Sequence, residues 1–315
     1  MQRVPSPAAL ALAACAALAA CGGGGGSGPG SGPPPTAVPT PTATVVVTPS
    51  PSPTPVVPQY TGRVVDSDHG GAPVAGATVS VGTGFAYDGT GYVISGVTAT
   101  TTTKADGTFS ISIAGAQYVQ VTAAGLVAAH RPILTAPNQW GFQPPAGTIG
   151  TFQLPTANAD ELAGLREMNK NRASGGSGQG AQPLTLDADV MLSARAHAND
   201  EATQGYYAHV APGTNYEFSG HYICTPLGGF CANPLFEQEN LDGYPASSGS
   251  LAQADDVYFA YGPGEGHHDN VVSKTNLWVG FGAAYGGKPD PGSVGNGTES
   301  YFVENFITST SNPSP

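Results

Sequence analysis

Leu277-Trp278-Val279-Gly280-Phe281-Gly282 and, farther on, Tyr301-Phe302-Val303-Glu304-Asn305-Phe306 are short apolar runs that read as strands. Helical patterns precede them. Leu162, Leu165, Met168 and Asn169 recur at helical spacing behind Asp160, whose carboxylate suits an N-cap, and the pattern stops at the glycine-rich Ser174 to Gly180. A second helix follows Asp187, with Met191, Ala194, Ala198 and Ala202 along one side and Gly205 as its stop. Ala254, Val257 and Tyr261 mark a third. Helices followed by strands imply an α-β-α layering in which the strands are buried between helices.

Upstream of this segment the period changes. Thr61-Gly62-Arg63-Val64-Val65, Ala77-Thr78-Val79-Ser80-Val81, Phe109-Ser110-Ile111-Ser112-Ile113 and Tyr118-Val119-Gln120-Val121 alternate apolar and polar residues, which predicts half-buried strands. Lys104-Ala105-Asp106-Gly107 supplies a tight turn between two of them. The expected result is a small β-sandwich. Its His69 and His130 stand beside turn signals and read as solvent-exposed bystanders. Farther upstream, residues 22–59 are Gly/Ser-rich and then Pro/Thr-rich, with Pro33-Pro34-Pro35 and alternating Thr-Pro steps. Such a segment favours extended polyproline II, rising ~3.1 Å per residue, and reads as a disordered stalk.

The chain has 315 residues, with 45 Gly and 29 Pro, so part of it cannot pack a core. Its formal charge is −12, with only 10 Lys and Arg against 22 Asp and Glu. Nucleic acid and anionic membrane surfaces need clustered basic residues, and that balance excludes them as partners. Arg3 precedes an apolar run, Ala8 to Ala20, too short to stay in a bilayer as a spanning helix, which is the pattern of an export signal. Leu18-Ala19-Ala20-Cys21 resembles the bacterial lipoprotein lipobox, and Leu12-Ala13-Ala14-Cys15 matches the same pattern. Cys21 is the preferred lipidated residue, because cleavage there uses the whole apolar run and leaves Gly22 to Gly26 as a tether. Gly22 after that cysteine resembles outer-membrane sorting. Cys224 and Cys231 are expected to form a short-loop disulfide in an oxidising compartment; the alternative, a metal-binding pair, has no further Cys to complete it.

Two resemblances sharpen this outline. Gly62-Arg63-Val64, Pro73 to Val79 and Asp106-Gly107-Thr108-Phe109 together resemble the carboxypeptidase regulatory-like, transthyretin-like β-sandwich, whose members are spacers or binding modules. The last segment resembles the CAP superfamily of cysteine-rich secretory proteins, antigen 5 and pathogenesis-related proteins. The landmarks, in order, are Leu165-x-x-x-Asn169-x-x-Arg172, Pro183 to Asp187, Gly205-Tyr206-Tyr207-Ala208-His209, Glu239-Asn240-Leu241, Tyr261 to Gly266-His267, and the two closing strands. The expected fold is multidomain: signal peptide 1–20, stalk 21–59, all-β sandwich 60–154, α-β-α sandwich CAP domain 160–308 and disordered tail 309–315.

The CAP resemblance implies a central cavity holding His209, His267 and Glu239. Two imidazoles and a carboxylate suit a divalent cation such as Zn²⁺, and the same trio could activate water for hydrolysis. The sequence does not choose between them. The family's second glutamate has no direct match, and Glu265 is the nearest residue to it. Gln238 replaces the family's glycine before Glu239, and Tyr261 replaces its tryptophan. Residues 210–236 look family-variable, placed either to roof or to block the cavity. Asn169 and Arg172 read as structural, Trp278 and Phe281 as core, His197 as exposed or packed within its helix, His221 as a surface residue, and His268 as pointing away from its neighbour's site. No Gly-x-Ser-x-Gly elbow or His-Glu-x-x-His helix is present, and Gly282 to Lys288, which has the Gly-x-x-x-x-Gly-Lys spacing, is followed by Pro289 in place of the Ser or Thr that a phosphate-binding loop requires. The sequence therefore points first to a lipid-anchored surface or periplasmic binding module that takes a lipid-like or peptide ligand. A peptidase-like hydrolase using the same cavity and a structural or adhesive envelope protein are the alternatives.

Overall fold

The computed structural model describes residues 58–134, 144–174, 181–224, 237–245, 249–292 and 297–308. The export signal, Cys15, Cys21, the stalk up to residue 57, Cys231 and the tail lie outside them, as does the side chain of Cys224. The anchor and disulfide expectations therefore fall outside the described residues. No helix among those residues is long and apolar enough to cross a membrane.

Among the described residues the first half carries ten strands: β1 (Gln59–Asp66), β2 (Ala72–Pro73), β3 (Thr78–Gly82), β4 (Gly84–Tyr87), β5 (Tyr92–Ser95), β6 (Ala99–Thr102), β7 (Thr108–Ser112), β8 (Tyr118–Thr122), β9 (Ala129–Pro132) and β10 (Thr148–Leu154). β1 pairs antiparallel with β2 and β7 and parallel with β10. A second sheet runs β6-β3-β8-β9, all antiparallel, and β4 and β5 form a hairpin. The alternation read from the sequence sends Val79, Val81, Phe109, Ile111, Val119, Val121 and Phe152 of both sheets into one core. The Lys104–Gly107 turn forms as expected. Gly107 has φ +77°, and a Cβ there would stand 2.4 Å from the Val64 carbonyl, so only glycine fits.

The second half contains α1 (Ala159–Ala173), β11 (Thr185–Leu186), α2 (Ala188–Gln204), α3 (Phe218–Cys224), β12 (Glu237–Pro245), α4 (Leu251–Ala260), α5 (Gly266–Val272), β13 (Asn276–Gly287) and β14 (Glu299–Thr308). Its sheet has the order β11-β13-β14-β12, which leaves β12 at an edge. Val279 and Phe281 of β13 share one face with Met168 of α1, Leu251 and Tyr258 of α4, and Val271 of α5. On the other face the alternate positions Gly280 and Gly282 let α2 lie against bare backbone. A Cβ at Gly280 would meet the Met191 nitrogen at 2.2 Å, and one at Gly282 the Ala194 carbonyl oxygen at 2.1 Å. Strands thus lie between helices on both faces, and Trp278 and Phe281 are fully buried.

α2 begins at Asp187 and ends at Gly205 (φ 75°), where the sequence placed its limits. α1 differs. Its N-cap is Asn158, which accepts from the Asp160 and Glu161 amides while the Glu161 carboxylate accepts from the Asn158 amide. That reciprocal capping box outcompetes Asp160, which sits instead in the first turn, where its charge suits the helix dipole. Asn169 bonds both backbone groups of Leu184. Buried Arg172 donates to the carbonyls of Gln182, Val271 and Ser273, a structural role, and burial pushes its pKa down to about 10.

His69 is exposed and bonds Asp66, but His130 is not a bystander. It is buried in a polar seam that joins the two halves, which form one compact unit from Pro55 onward. Its backbone N–H and Nδ1 both reach Asp187 Oδ2 at 2.9 Å, and Nε2 lies 2.8 Å from the Gln120 amide nitrogen. Beside it Arg131 donates to both oxygens of Asp189 at 2.6 Å, and the Ala188 amide donates to the Ala128 carbonyl. Trp278 stacks on the His130 ring at 4.4 Å. The turn-like flanks of His130 belong to a strand end that docks on the start of α2, a contact no local pattern announces.

Candidate functional site

After Gly205 reverses the chain, Tyr206 to His209 is strapped between α2 and the edge strand. The Tyr206 hydroxyl donates to Asp200, the Tyr207 hydroxyl to the Leu241 carbonyl, and the Ala208 amide to Glu201 Oε1. These ties set the His209 ring against β12, where its Nδ1 lies 2.8 Å from Glu239 Oε1. The other carboxylate oxygen, Oε2, lies 2.8 Å from His197 Nδ1 and accepts from the Ser219 hydroxyl of α3. Asn305, paired with Glu239 across β12 and β14, completes the set. With its amide turned to satisfy both ends, its nitrogen donates to Oε2 at 2.9 Å and its oxygen accepts from the Ala194 amide at 3.2 Å.

The result is a polar string, His209–Glu239–His197–Glu201, running from the surface into the space between sheet and helix. His209 is half exposed, whereas His197 and Glu201 are fully buried. Hydrogen placement along it is constrained. His197 Nε2 lies 3.2 Å from the Ala208 carbonyl, which can only accept, so that nitrogen carries hydrogen. On His209, Nδ1 faces the carboxylate, and Nε2 has no hydrogen-bond partner among the described residues. Glu201 stands one turn after His197, with Oε1 at 3.9 Å from Nε2 and Oε2 without a partner.

His267 approaches from the other side of the edge strand, in the first turn of α5. Its carbonyl accepts from Asn240 at 3.3 Å, and its ring packs near Tyr258 and Tyr261 at 5.2 and 5.7 Å. Among the described residues no hydrogen bond joins its ring to Glu239, yet it lies near enough to feel the charge of His209. Glu265 is exposed, caps α5 without a side-chain hydrogen bond, and acts on His267 only through its charge. His268 is buried, bonds Asp269 and stacks on Phe259, away from the site. His221 is half-buried and stacks on Tyr216 at 3.8 Å.

The environments drive these groups apart. Hydrogen bonding to Glu239 raises the His209 pKa against the opposing effect of burial. Burial, and then the charge on His209, lowers that of His267. Burial alone would raise Glu239, but its bonds from His197, His209 and Ser219 prevail and hold it below the usual range. Glu201 accepts only the long bond from the Ala208 amide, so burial and the nearby charge of Glu239 prevail and push it up to about 9. A charged carboxylate and a neutral carboxylic acid thus flank one buried imidazole.

The sequence reading placed His209, His267 and Glu239 in one cavity; the structure joins His209 to Glu239 by a hydrogen bond, whereas the His267 ring makes none to Glu239 among the described residues. The sequence reading missed His197, Glu201, Ser219 and Asn305 as members of the string. His197 and Glu201 are spaced i, i+4, so they share a helix face, and each immediately precedes a small residue of the packed side, Ala198 and Ala202. That signal was present. Among the described residues no group of three or more His, Cys, Asp or Glu side chains is arranged to hold a metal ion.

Residues 165–306 match the profile of the family described as "CAP: Cysteine-rich secretory protein family". No curated protein matches the chain. Among solved structures, an extracellular protein containing an SCP domain from Bacillus anthracis is 18% identical over 48% of this chain and 41% of that one, with a TM-score of 0.34. A 9R-lipoxygenase from Cyanothece is 14% identical over 57% of this chain and 26% of that one, with a TM-score of 0.21. This chain therefore spans less than half the length of either matched structure.

Proposed function

We propose, on the premise that residues 165–306 form a CAP-family domain, that the protein is an extracytoplasmic binding module whose recognition site is the imidazole-lined edge of the CAP sheet. The observation that carries this is the state of His209. A buried carboxylate fixes its Nδ1 while its Nε2 is presented, half exposed, at the mouth of the string. Exposed Tyr207 and Val210 stand close to His209 in sequence, exposed Tyr261 packs near His267, and they offer apolar surface to a lipid-like or peptide ligand. The family membership and the composition support a place outside the cytoplasm. In this reading Cys21 carries the lipid anchor in the outer membrane or at the cell surface, and residues 60–154 act as a transthyretin-like spacer. Cys21→Ser is expected to move the chain from the membrane to the soluble fraction; retention on membranes would refute the anchor.

A divalent cation such as Zn²⁺ would be held by His209 Nε2 and His267. Glu239 fits behind His209 as the carboxylate that orients a ligating imidazole, because both of its oxygens already accept hydrogen bonds. Two protein nitrogens are fewer than the three or four ligands of most zinc centres, so the bound ligand or water would supply the rest. The expected calorimetric result is saturable Zn²⁺ uptake by the full chain and none by His209→Ala. Equal uptake by both proteins removes the metal from the reading.

One observation favours hydrolysis as a second reading. The pKa values of His209 and His267 are driven in opposite directions, which suits one imidazole to hold a proton while the other accepts one. Peptide and ester screening of the same two proteins decides it. Turnover that disappears in His209→Ala would establish catalysis, and absence of turnover in the wild type leaves binding.

A further inference from the structure

A cavity of about 220 Å³ opens between the end of α2 and the start of α3. Its walls include Tyr216, Phe218 and Tyr222, and its polar lining includes Asp200, Gln204 and His221, whose ring stacks on Tyr216 at 3.8 Å. The Phe218 and Tyr222 rings lie nearly parallel, 6.0 Å apart at 13°. Phe218 also stacks on His197 at 4.8 Å, so one ring separates this cavity from the polar string.

The charge at the cavity is unbalanced. Asp200 accepts from the Gln204 amide at 2.8 Å through both oxygens and from the Tyr206 hydroxyl at 2.8 Å. Those donors are neutral. Among the described residues no Lys or Arg lines the cavity, and none pairs with Asp200. Aromatic faces present negative potential and attract cations, most strongly when water is excluded. The cavity exceeds the roughly 150 Å³ that takes a benzene-sized guest. We propose that it binds a small quaternary alkylammonium cation, with the Tyr216, Phe218 and Tyr222 rings that line the cavity around the alkyl groups and Asp200 opposite the charge.

Other ligand classes fit less well. A sugar needs several free hydrogen-bonding groups, but Asp200 is already occupied and the Thr214 hydroxyl is bound to the Ala211 carbonyl. A purely apolar guest would strip water from an uncompensated carboxylate. A quaternary ammonium head carries no N–H, needs no acceptor lone pair and supplies the missing charge. The net charge of −12 also raises the local concentration of cations around the molecule.

Calorimetric titration of the full chain with choline and with 3,3-dimethylbutan-1-ol, its uncharged carbon isostere, tests this. Choline is expected to bind at least about tenfold more tightly than the isostere. Asp200→Asn should abolish that preference with Gln204 and Tyr206 still in place. Tyr222→Leu, which keeps apolar bulk but removes the π face, should weaken choline more than the isostere. Competition from phosphatidylcholine vesicles distinguishes a lipid headgroup from a free cation, and either source satisfies the assignment. Equal affinity for the two probes, no saturable choline binding by the wild type, or a preference unchanged in both variants overturns it.

Discussion

Arg131→Met is expected to cost about 3–5 kcal/mol of unfolding free energy, the usual penalty for removing one partner of a buried ion pair. Arg131 is 3% exposed and Asp189 fully buried, and their two 2.6 Å bonds are of the fork type that matches guanidinium to carboxylate. The guanidinium also donates to the Thr151 carbonyl at 2.9 Å and lies 4.5 Å from the centre of the Phe152 ring. Without it, Asp189 would remain in the seam beside Asp187, with two buried carboxylates near the start of one helix and no cation between them. The cost arises from that abandoned charge more than from the lost attraction. Arg131→Met/Asp189→Leu should therefore recover most of the loss, since an apolar pair of similar volume can replace a buried ion pair at little cost. Urea denaturation followed through Trp278, which stacks on His130 in the same seam, reads both variants. A loss below about 1 kcal/mol for the single variant would mean that water reaches the pair. Because Arg131 belongs to β9 and Asp189 to α2, the single variant should also uncouple the halves and split one transition into two.

The elements that came through in the sequence are those set by local rules. The Asp187 cap, the Gly205 stop and the alternation of β3, β7 and β8 each depend on neighbouring residues and on a period. The mixture of helices and strands in the second half followed, and so did the core positions of Trp278 and Phe281. What stayed hidden depends on distant partners. Asn158 beats Asp160 as a cap because Glu161 can return the bond, a contest between two acceptable caps. His130 becomes structural only because Asp187, 57 residues later, turns both of its carboxylate oxygens to use: Oδ1 caps α2 and Oδ2 holds His130. His197 was visible as a helical histidine, but its role rests on Glu239, which lies on an edge strand that showed no alternating pattern. Families of motifs located Glu239 and His209; the chemistry between them required coordinates.

Glu201→Gln is expected to stabilise the fold increasingly as pH rises. Glu201 is fully buried, and burial with the charge of Glu239 raises its folded pKa from 4.5 to about 9. Between those values the folded chain holds a proton that the unfolded chain has released, so wild-type stability falls with rising pH through this group. At pH 7 the accumulated cost is on the order of 3 kcal/mol. Glutamine cannot ionise in either state and escapes that loss. It keeps an oxygen for the Ala208 amide, which now donates to Oε1 at 3.4 Å. The variant should therefore match or fall slightly below the wild type near pH 4.5 and exceed it progressively toward pH 9. Glu304 and Asp255, on the opposite face of the sheet, are also pushed upward by burial, so the wild-type profile sums several groups. Taking the difference between the two proteins at each pH isolates Glu201. Two parallel profiles would mean that Glu201 is ionised within the fold; the unpartnered Oε2 would then be a buried bare charge, and the polar string would have no neutral end.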